Sequence, residues 1–280
     1  RCVELAENLP LVRQQTGLVL DPYFSGTKIE WLLNNREVRQ DDDLCIGTID
    51  SWLIWNLTGS KSFVTDCTNA SRTMLFDISE LCWSDQLTKM LGVQPKFLPE
   101  VRASSGDFGV TIQHGSVPAG ISISGVAGDQ HAALFGQACF DTGSTKNTYG
   151  TGSFVLMNVG KNCPSPRDGM LTTIAWQLGN EKPVYALEGA IFVTGAAIQW
   201  LRDGLNIIDN ASEITALAQS VDDSSGVVVV PAFTGLGSPW WDAYARGAIF
   251  GITRGTSRAH IARATIESIV FQTRDVVEAM

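Results

Sequence analysis

The chain has 280 residues, 44% of them hydrophobic and 18% charged, which is typical of a globular protein of about two domains. Its net charge of −9 and the lack of any lysine or arginine cluster argue against a nucleic-acid partner, because binding to a phosphate backbone relies on basic side chains. A small anionic ligand remains possible, since backbone N–H groups bind phosphate without a basic patch.

The six cysteines show no C-x-x-C motif and no metal-type spacing, so we expect reduced, mostly buried thiols in a cytoplasmic protein. No apolar stretch approaches the roughly 18 residues that span a bilayer. The sequence starts at Arg1 without an initiator Met and ends at Met280 within a helical pattern that has no Gly or Pro stop. We therefore expect an internal part of a longer protein.

The first half of the chain is predicted to be helical and then rich in loops. Helices are expected at 27–34 and 50–57, where apolar residues recur at helical spacing, and a short one at 87–91. Alternating apolar residues then predict a strand over 121–127, which leads to Asp129 and to a helix that ends near residue 138.

The second half alternates strands and helices. Short strands are predicted first, at 145–149, 154–157, 171–176 and 184–187. A helix with an apolar face is then predicted from Gly195, followed by a buried strand at 227–231 and a last helix from about Arg258. This order indicates an α/β fold. We place a domain boundary between residues 139 and 140, giving domains 1–139 and 140–280.

A single carboxylate follows the predicted strand in the segment SGVAGDQHAALFGQ (124–137). Asp129 there has two interpretations. It can be a helix N-cap, which is a common role for Asp, or a general base that accepts a proton from a substrate hydroxyl. The residues alone leave both open.

The segment NTYGTGSF (147–154) predicts a hairpin whose turn brackets Thr151 between Gly150 and Gly152. It is either an ordinary Gly-rich hairpin or a turn that presents N–H groups and a hydroxyl to phosphate. The helix that starts at Gly195 is expected to offer free N–H groups and a positive dipole to a phosphate or nucleotide. Gln199, one turn on, is either a surface residue or a ligand contact.

The remaining candidates are weak. The three histidines, His114, His131 and His260, have no His or Cys partner that would make a metal site or a nucleophile–base pair. No G-x-S-x-G elbow occurs, which argues against the usual hydrolase.

Two segments resemble the signatures of the FGGY family of carbohydrate kinases. They are YFSGTKIEWLLNN (23–35) and GAIFGI (247–252), the latter followed after seven residues by HIARATIE (260–267). The resemblance runs along essentially the whole chain, and within the family it is closest to the members that phosphorylate glycerol. It implies an actin-like ATPase fold of two ribonuclease H-like domains, incomplete at both ends, with the active site in the cleft between them.

The resemblance also implies roles for residues on the glycerol side. Asp129 is expected to be the base toward the terminal hydroxyl of glycerol, with Gln130 beside the substrate. Tyr23 is expected to contact the hydroxyls, and Phe154 to pack on the carbon backbone.

On the nucleotide side, the resemblance implies that Thr151 meets the ATP phosphates and that Gly195 and Gln199 line the nucleotide site. ATP and Mg²⁺ are the implied cofactors, with Mg²⁺ on phosphate oxygens and no metal ligand assigned within this chain. A homo-oligomer, dimer or tetramer, is also implied.

The family's other site residues have no counterpart between 1 and 280, so we expect this chain alone to be inactive. The loop 114–120 lacks the arginine with which some bacterial members bind the inhibitor fructose 1,6-bisphosphate, so we do not expect that regulation. His114 is a candidate for the loop histidine that is phosphorylated in other bacterial members. Two alternatives stay open. One is a related kinase for another polyol or sugar, and the other is a non-catalytic sensor of a polyol or nucleotide.

Overall fold

A computed structural model describes residues 1–280, which form two compact units. The first unit comprises Arg1–Ser144, Met157–Arg167 and Leu171–Leu187, and the second comprises Thr145–Leu156, Asp168–Met170 and Glu188–Met280. Each unit gathers separate stretches of the chain, so the single boundary between residues 139 and 140 remains a prediction.

The elements up to residue 144 belong to the first unit and include several short strands. In chain order they are the 3₁₀ turn Ala6–Asn8, α1 (Leu9–Thr16), α2 (Ser25–Asn35), α3 (Ile49–Leu57), β1 (Val64–Asp66), α4 (Cys67–Ala70), β2 (Phe76–Asp77), β3 (Cys82–Trp83), α5 (Asp85–Met90), the 3₁₀ turn Pro95–Phe97, β4 (Glu100–Arg102) and α6 (Asp129–Gly136). Strand β1 pairs in parallel with β4, and β2 pairs antiparallel with β3.

The elements after residue 144 begin with four longer strands. They are β5 (Thr145–Tyr149), β6 (Ser153–Gly160), β7 (Leu171–Trp176), β8 (Val184–Ile191), α7 (Gly195–Asp203), α8 (Glu213–Gln219), β9 (Val228–Val230), β10 (Ala248–Phe250) and α9 (Arg258–Ala279). The first four form a sheet in the order β5–β6–β8–β7, and β9 pairs antiparallel with β10.

The strongly periodic helices form where the sequence predicts them. Helix α9 starts at Arg258 as predicted, behind a capping box in which the backbone N–H of Ser257 donates to Nδ1 of His260 at 3.0 Å. The helices α4 and α8 and the strands β1, β2, β3, β4 and β10 were not predicted. Each spans seven residues or fewer, which is too short for a clear periodic pattern in the sequence.

Each unit has its own apolar core. In the first unit, buried side chains from α4, β7, β8, β2 and the residue after β2 pack together, namely Cys67, Ala70, Phe76, Ile78, Ile174 and Tyr185. In the second unit, α7, α8 and α9 pack through Leu201, Ile214 and Ala262. Helix α9 also approaches β8 closely, because a Cβ at Gly189 would lie 2.3 Å from a methyl carbon of Val276.

No helix in the chain combines the length and apolar character that crossing a membrane requires. All six cysteines are free thiols. The prediction that they are mostly buried is wrong, since only Cys67 and Cys139 are buried, while Cys45, Cys82 and Cys163 are exposed. Of the exposed ones, Cys45 and Cys163 lie in loops and Cys82 lies in the short strand β3.

We predict a sharp division in thiol reactivity. Burial raises the pKa of the Cys67 thiol to about 12, so at pH 8 only about one part in ten thousand is the reactive thiolate. Iodoacetamide should alkylate the exposed Cys45 in the native protein, and Cys67 only after unfolding. Mass spectrometry of peptides from native and urea-treated samples checks this, and rapid labelling of native Cys67 would contradict it.

Candidate active site

Asp129 is the first residue of α6, and the preceding Gly128 is the N-cap. One carboxylate oxygen, Oδ1, accepts a hydrogen bond from the backbone N–H of Gln130 at 2.8 Å, and Oδ2 accepts one from Nε2 of Gln130 at 3.3 Å. A carboxylate at this end of a helix also interacts favourably with the helix dipole. Asp129 is nevertheless exposed, so it stabilises the helix start and still presents its carboxylate to a ligand.

The predicted strand over 121–127 is wrong as a regular element. This segment makes two isolated bridges, Ser105 to Gly125 and Val110 to Ser122, rather than a continuous ladder. Along the ribbon the pairing slips, since the carbonyl of Ile123 accepts from Phe108 while its own N–H donates to Gly109. Gly109 has φ +116°, a conformation that breaks strand regularity.

The turn into α6 depends on a glycine. A Cβ at Gly128 would lie 2.7 Å from Nδ1 of His131, so only glycine leaves room for this side chain. His131 is buried, and its Nε2 lies 3.0 Å from the hydroxyl of Thr173 on β7. His131 therefore has a structural position beneath Asp129.

Tyr23 lies in the turn before α2. Its N–H donates to Oδ1 of Asp21 at 2.7 Å, and its ring packs edge-on against Phe24 with ring centres 5.2 Å apart. The side chain is 46% exposed, so the phenol is accessible while the Asx turn fixes its backbone. His114, in the same unit, is exposed in a tight turn and pairs through its backbone with Val117.

In the second unit, the predicted hairpin joins β5 to β6 through Gly150–Gly152. The N–H groups of Thr151 and Gly152 donate no hydrogen bond within the chain, and Thr151 is exposed. These two N–H groups and the Thr151 hydroxyl are therefore donors without a partner inside the chain. Successive free N–H groups in a turn are able to bind an anion.

The start of α7 is tied to that hairpin. The N–H of Gly195 donates to the carbonyl of Gly150 at 3.0 Å, and the N–H groups of Thr194 and Ala196 donate to the carbonyl of Thr151 at 2.9 and 3.0 Å. The expectation of free N–H groups at this helix start is therefore wrong. Sequence spacing gave no sign that the hairpin carbonyls occupy these donors, because the contact joins residues more than forty positions apart.

Glycine is needed on both sides of this junction. A Cβ at Gly195 would lie 2.4 Å from the carbonyl oxygen of Gly150, and a Cβ at Gly152 would lie 2.4 Å from that of Ile191. Such distances are far shorter than any normal contact. Gly195 thus holds the hairpin against the helix, and its predicted place along the nucleotide site remains a prediction.

Phe154 and Gln199 complete the residues named from the sequence. Phe154 is half-buried on β6, and its carbonyl accepts a hydrogen bond from Nζ of Lys146 at 3.2 Å. Lys146 is itself buried and also donates to the hydroxyl of Thr148 at 3.0 Å. Gln199 is exposed on α7 and its side chain makes no hydrogen bond within the chain.

Hydrogen bonds thus connect the predicted site residues in two places, one in each unit. Asp129 is bonded to Gln130 in the first unit, and Thr151 is bonded through its carbonyl to the start of the helix that Gly195 begins in the second. No group of three or more His, Cys, Asp or Glu side chains is placed to hold a metal ion.

Comparison with known proteins decides the family. Residues 1–136 match the N-terminal domain of the FGGY family of carbohydrate kinases, and residues 145–280 match its C-terminal domain. The chain belongs to the FGGY family of carbohydrate kinases.

The chain is similar throughout to FGGY kinases that carry the name glycerol kinase. It is 56% identical to glycerol kinase 2 of Thermotoga maritima and 56% identical to the glycerol kinase of Symbiobacterium thermophilum. The alignments cover 100% of this chain and 57% of each relative, so the chain spans little more than half of their length.

Solved FGGY structures share the fold. Plasmodium falciparum glycerol kinase with ADP has a TM-score of 0.86 and 40% identity, over 100% of this chain and 57% of that one. Xylulose kinase from Lactobacillus acidophilus has a TM-score of 0.83 and 23% identity, over 99% of this chain and 57% of that one. At this identity the similarity shows the fold alone. The predicted fold class, the mixed α/β actin-like ATPase fold of the FGGY kinases, is confirmed.

Two buried polar residues next to the predicted site residues were not identified from the sequence. Thr194 is buried, and its hydroxyl donates to the carbonyl of Gly150 at 3.1 Å. Asp66 is buried in the first unit, near the turn before Asp129. In the sequence, each of the two is only an isolated polar residue beside an apolar run. This pattern is too common to identify a site residue.

We predict that Gly195→Ala destabilises the second unit by about 1–3 kcal/mol, as overpacked substitutions do, because the methyl group would overlap the hairpin carbonyl. Gly150→Ala is the control. A Cβ at Gly150 would lie 3.6 Å from its nearest neighbour, an ordinary contact. Urea unfolding of both variants measures the difference, and equal stability would contradict the role assigned to Gly195.

Proposed function

We propose that this chain is part of an enzyme that transfers the γ-phosphoryl group of ATP to glycerol and forms sn-glycerol 3-phosphate. The observation that carries the proposal is 54–56% identity, over the whole chain, to proteins named glycerol kinase. Because the chain spans 57% of those relatives, the activity is proposed for the full-length protein.

In the proposed reaction, Asp129 is the general base. Its exposed carboxylate accepts the proton of the terminal glycerol hydroxyl as that oxygen attacks the γ-phosphorus. The two hydrogen bonds from Gln130 limit the directions in which the carboxylate can point. Gln130 itself is proposed to lie beside glycerol, and the accessible phenol of Tyr23 to donate to a glycerol oxygen.

The second unit is proposed to bind the phosphates and the nucleotide. The unpaired N–H groups of Thr151 and Gly152, with the Thr151 hydroxyl, offer three donors for phosphate oxygens. Gln199 is proposed to contact the nucleotide through its exposed amide, with Gly195 lining the same site. Phe154 is proposed to pack on the carbon backbone of glycerol.

We expect ATP to be used together with Mg²⁺, which when bound would neutralise part of the phosphate charge. Mg²⁺ usually binds to water and phosphate oxygens and needs few protein ligands. The chain holds no cluster of ligating side chains, so we assign no residue to the ion. The predicted cytoplasmic location and the predicted dimer or tetramer remain predictions.

The proposal is tested with the full-length protein, ATP and a panel of acceptors. We expect ADP and sn-glycerol 3-phosphate to form with glycerol, measured by a coupled ADP assay and by phosphorus NMR. A preference for xylulose or gluconate over glycerol would contradict the proposed activity and indicate a related sugar kinase. Binding of ATP and glycerol by calorimetry, with no ADP formed, would support a sensor instead.

We predict that Asp129→Asn lowers the turnover number by about 10²–10⁴-fold, the usual contribution of a general base, while glycerol still binds. Asp85→Asn is the matched control. Asp85 is also an exposed first residue of a helix in the first unit, so its loss reproduces any effect on a helix start. Steady-state kinetics and glycerol titration separate turnover from binding. Near-native turnover of Asp129→Asn would rule out this base.

A further inference from the structure

A buried carboxylate lies behind the turn that carries Asp129. Asp66, at the end of β1, is 0% exposed. Oδ1 accepts from the Thr68 hydroxyl at 2.9 Å and from the N–H and side-chain amide of Asn69 at 2.9 and 2.8 Å. Oδ2 accepts from the Thr68 N–H at 3.1 Å and from the Ser104 hydroxyl at 2.7 Å. Its partners are neutral donors.

This set of bonds fixes the direction of the Thr68 hydroxyl. A hydroxyl has one proton, and here it is donated to Asp66. The oxygen is therefore left to accept, and it does so from the backbone N–H of Gly128 at 2.8 Å. The residue directly before Asp129 is thus bonded to a direct partner of the buried carboxylate.

A second connection reaches the same segment through Ser104. Its hydroxyl donates to Asp66, and its carbonyl accepts from the N–H of Val126 at 2.9 Å. Val126 and Gly128 are therefore both held through residues that bind one carboxylate. The segment between them has no ladder of its own to keep it in place.

The other side of Asp129 is connected to the same short helix. The Thr68 carbonyl accepts from the Ser71 hydroxyl at 2.7 Å, and that hydroxyl lies 3.0 Å from the hydroxyl of Thr173. Thr173 in turn lies 3.0 Å from Nε2 of His131. Asp129 sits between Gly128 and His131, so its backbone is held on both sides while its carboxylate stays exposed.

We propose that Asp66 is a positioning residue for Asp129, and that it acts through Thr68 and Ser104 on the backbone of residues 126–128. The proposal rests on the proposed function for the role of Asp129 as base. Burial raises the pKa of the Asp66 carboxyl, and the hydrogen bonds from Asn69, Ser104 and Thr68 oppose that rise. Asp66 acts by geometry and touches no substrate.

The test uses Thr68→Val in the full-length protein. This isosteric change removes the hydroxyl that accepts from Gly128 and donates to Asp66, and it keeps the Asp66 side chain itself. Turnover with glycerol should fall by about tenfold to a hundredfold, since displacement of a reacting group by about 1 Å has this effect. The KM for ATP should not change. Thr68→Ser keeps the hydroxyl and should restore most of the turnover.

Thr16→Val is the matched control. Thr16 is buried in the same unit, donates to the Val12 carbonyl at 2.7 Å and accepts from the Leu18 N–H at 3.0 Å. It loses the same kinds of hydrogen bond, so stability should fall while turnover stays native. Equal losses of turnover in Thr16→Val and Thr68→Val would overturn the proposal, as would native turnover in Thr68→Val.

A readout without activity separates this proposal from the proposed function. Amide hydrogen exchange, measured without substrate, should speed up at Gly128 in Thr68→Val and at both Val126 and Gly128 in Asp66→Asn. If Asp66→Asn does not fold, the Thr68 pair carries the test. A native protein that does not phosphorylate glycerol overturns the proposed function alone, whereas unchanged exchange at Gly128 overturns the positioning.

Discussion

The Asp66 carboxylate is buried without a cationic partner, and the arrangement that makes this tolerable also places the turn before Asp129. An ionised group out of water is costly unless its lone pairs are satisfied. Here Thr68, Asn69 and Ser104 supply the donors. Because a carboxylate only accepts, each hydroxyl that donates to it must turn its remaining lone pairs elsewhere, and one of them meets Gly128.

In the second unit, backbone groups make most of the bonds at a comparable junction, and the Thr194 hydroxyl adds one to the Gly150 carbonyl. The hairpin Gly150–Gly152 and the start of α7 bond through carbonyls and N–H groups at about 3 Å. No side chain could fit between two main chains this close, which is why Gly152 and Gly195 stand there. Because the helix donors are used internally, the N–H groups of Thr151 and Gly152 are the ones left without a partner in the chain.

The sequence predicted well where the signal is local and failed where it is tertiary. Helices α2 and α9 follow from the spacing of their apolar residues, and the signatures predicted the family. The strand at 121–127 alternates correctly, yet slipped pairing at Gly109 prevents a ladder. The occupied N–H groups of α7 could not be predicted either, since their partners lie on a distant hairpin.

The same reasoning explains why the position of Asp129 could be predicted but its support could not. A carboxylate between a glycine and a helix is visible as a local pattern, whereas Asp66 precedes it by more than sixty residues and is connected through two hydroxyls. As the proposed base, Asp129 has to remain exposed to accept a proton, so its own burial does not hold it in place. Its backbone must be held instead by neighbours that are buried. In this proposal, the position of the base is therefore set by hydrogen bonds from buried residues rather than by contacts of its own exposed carboxylate.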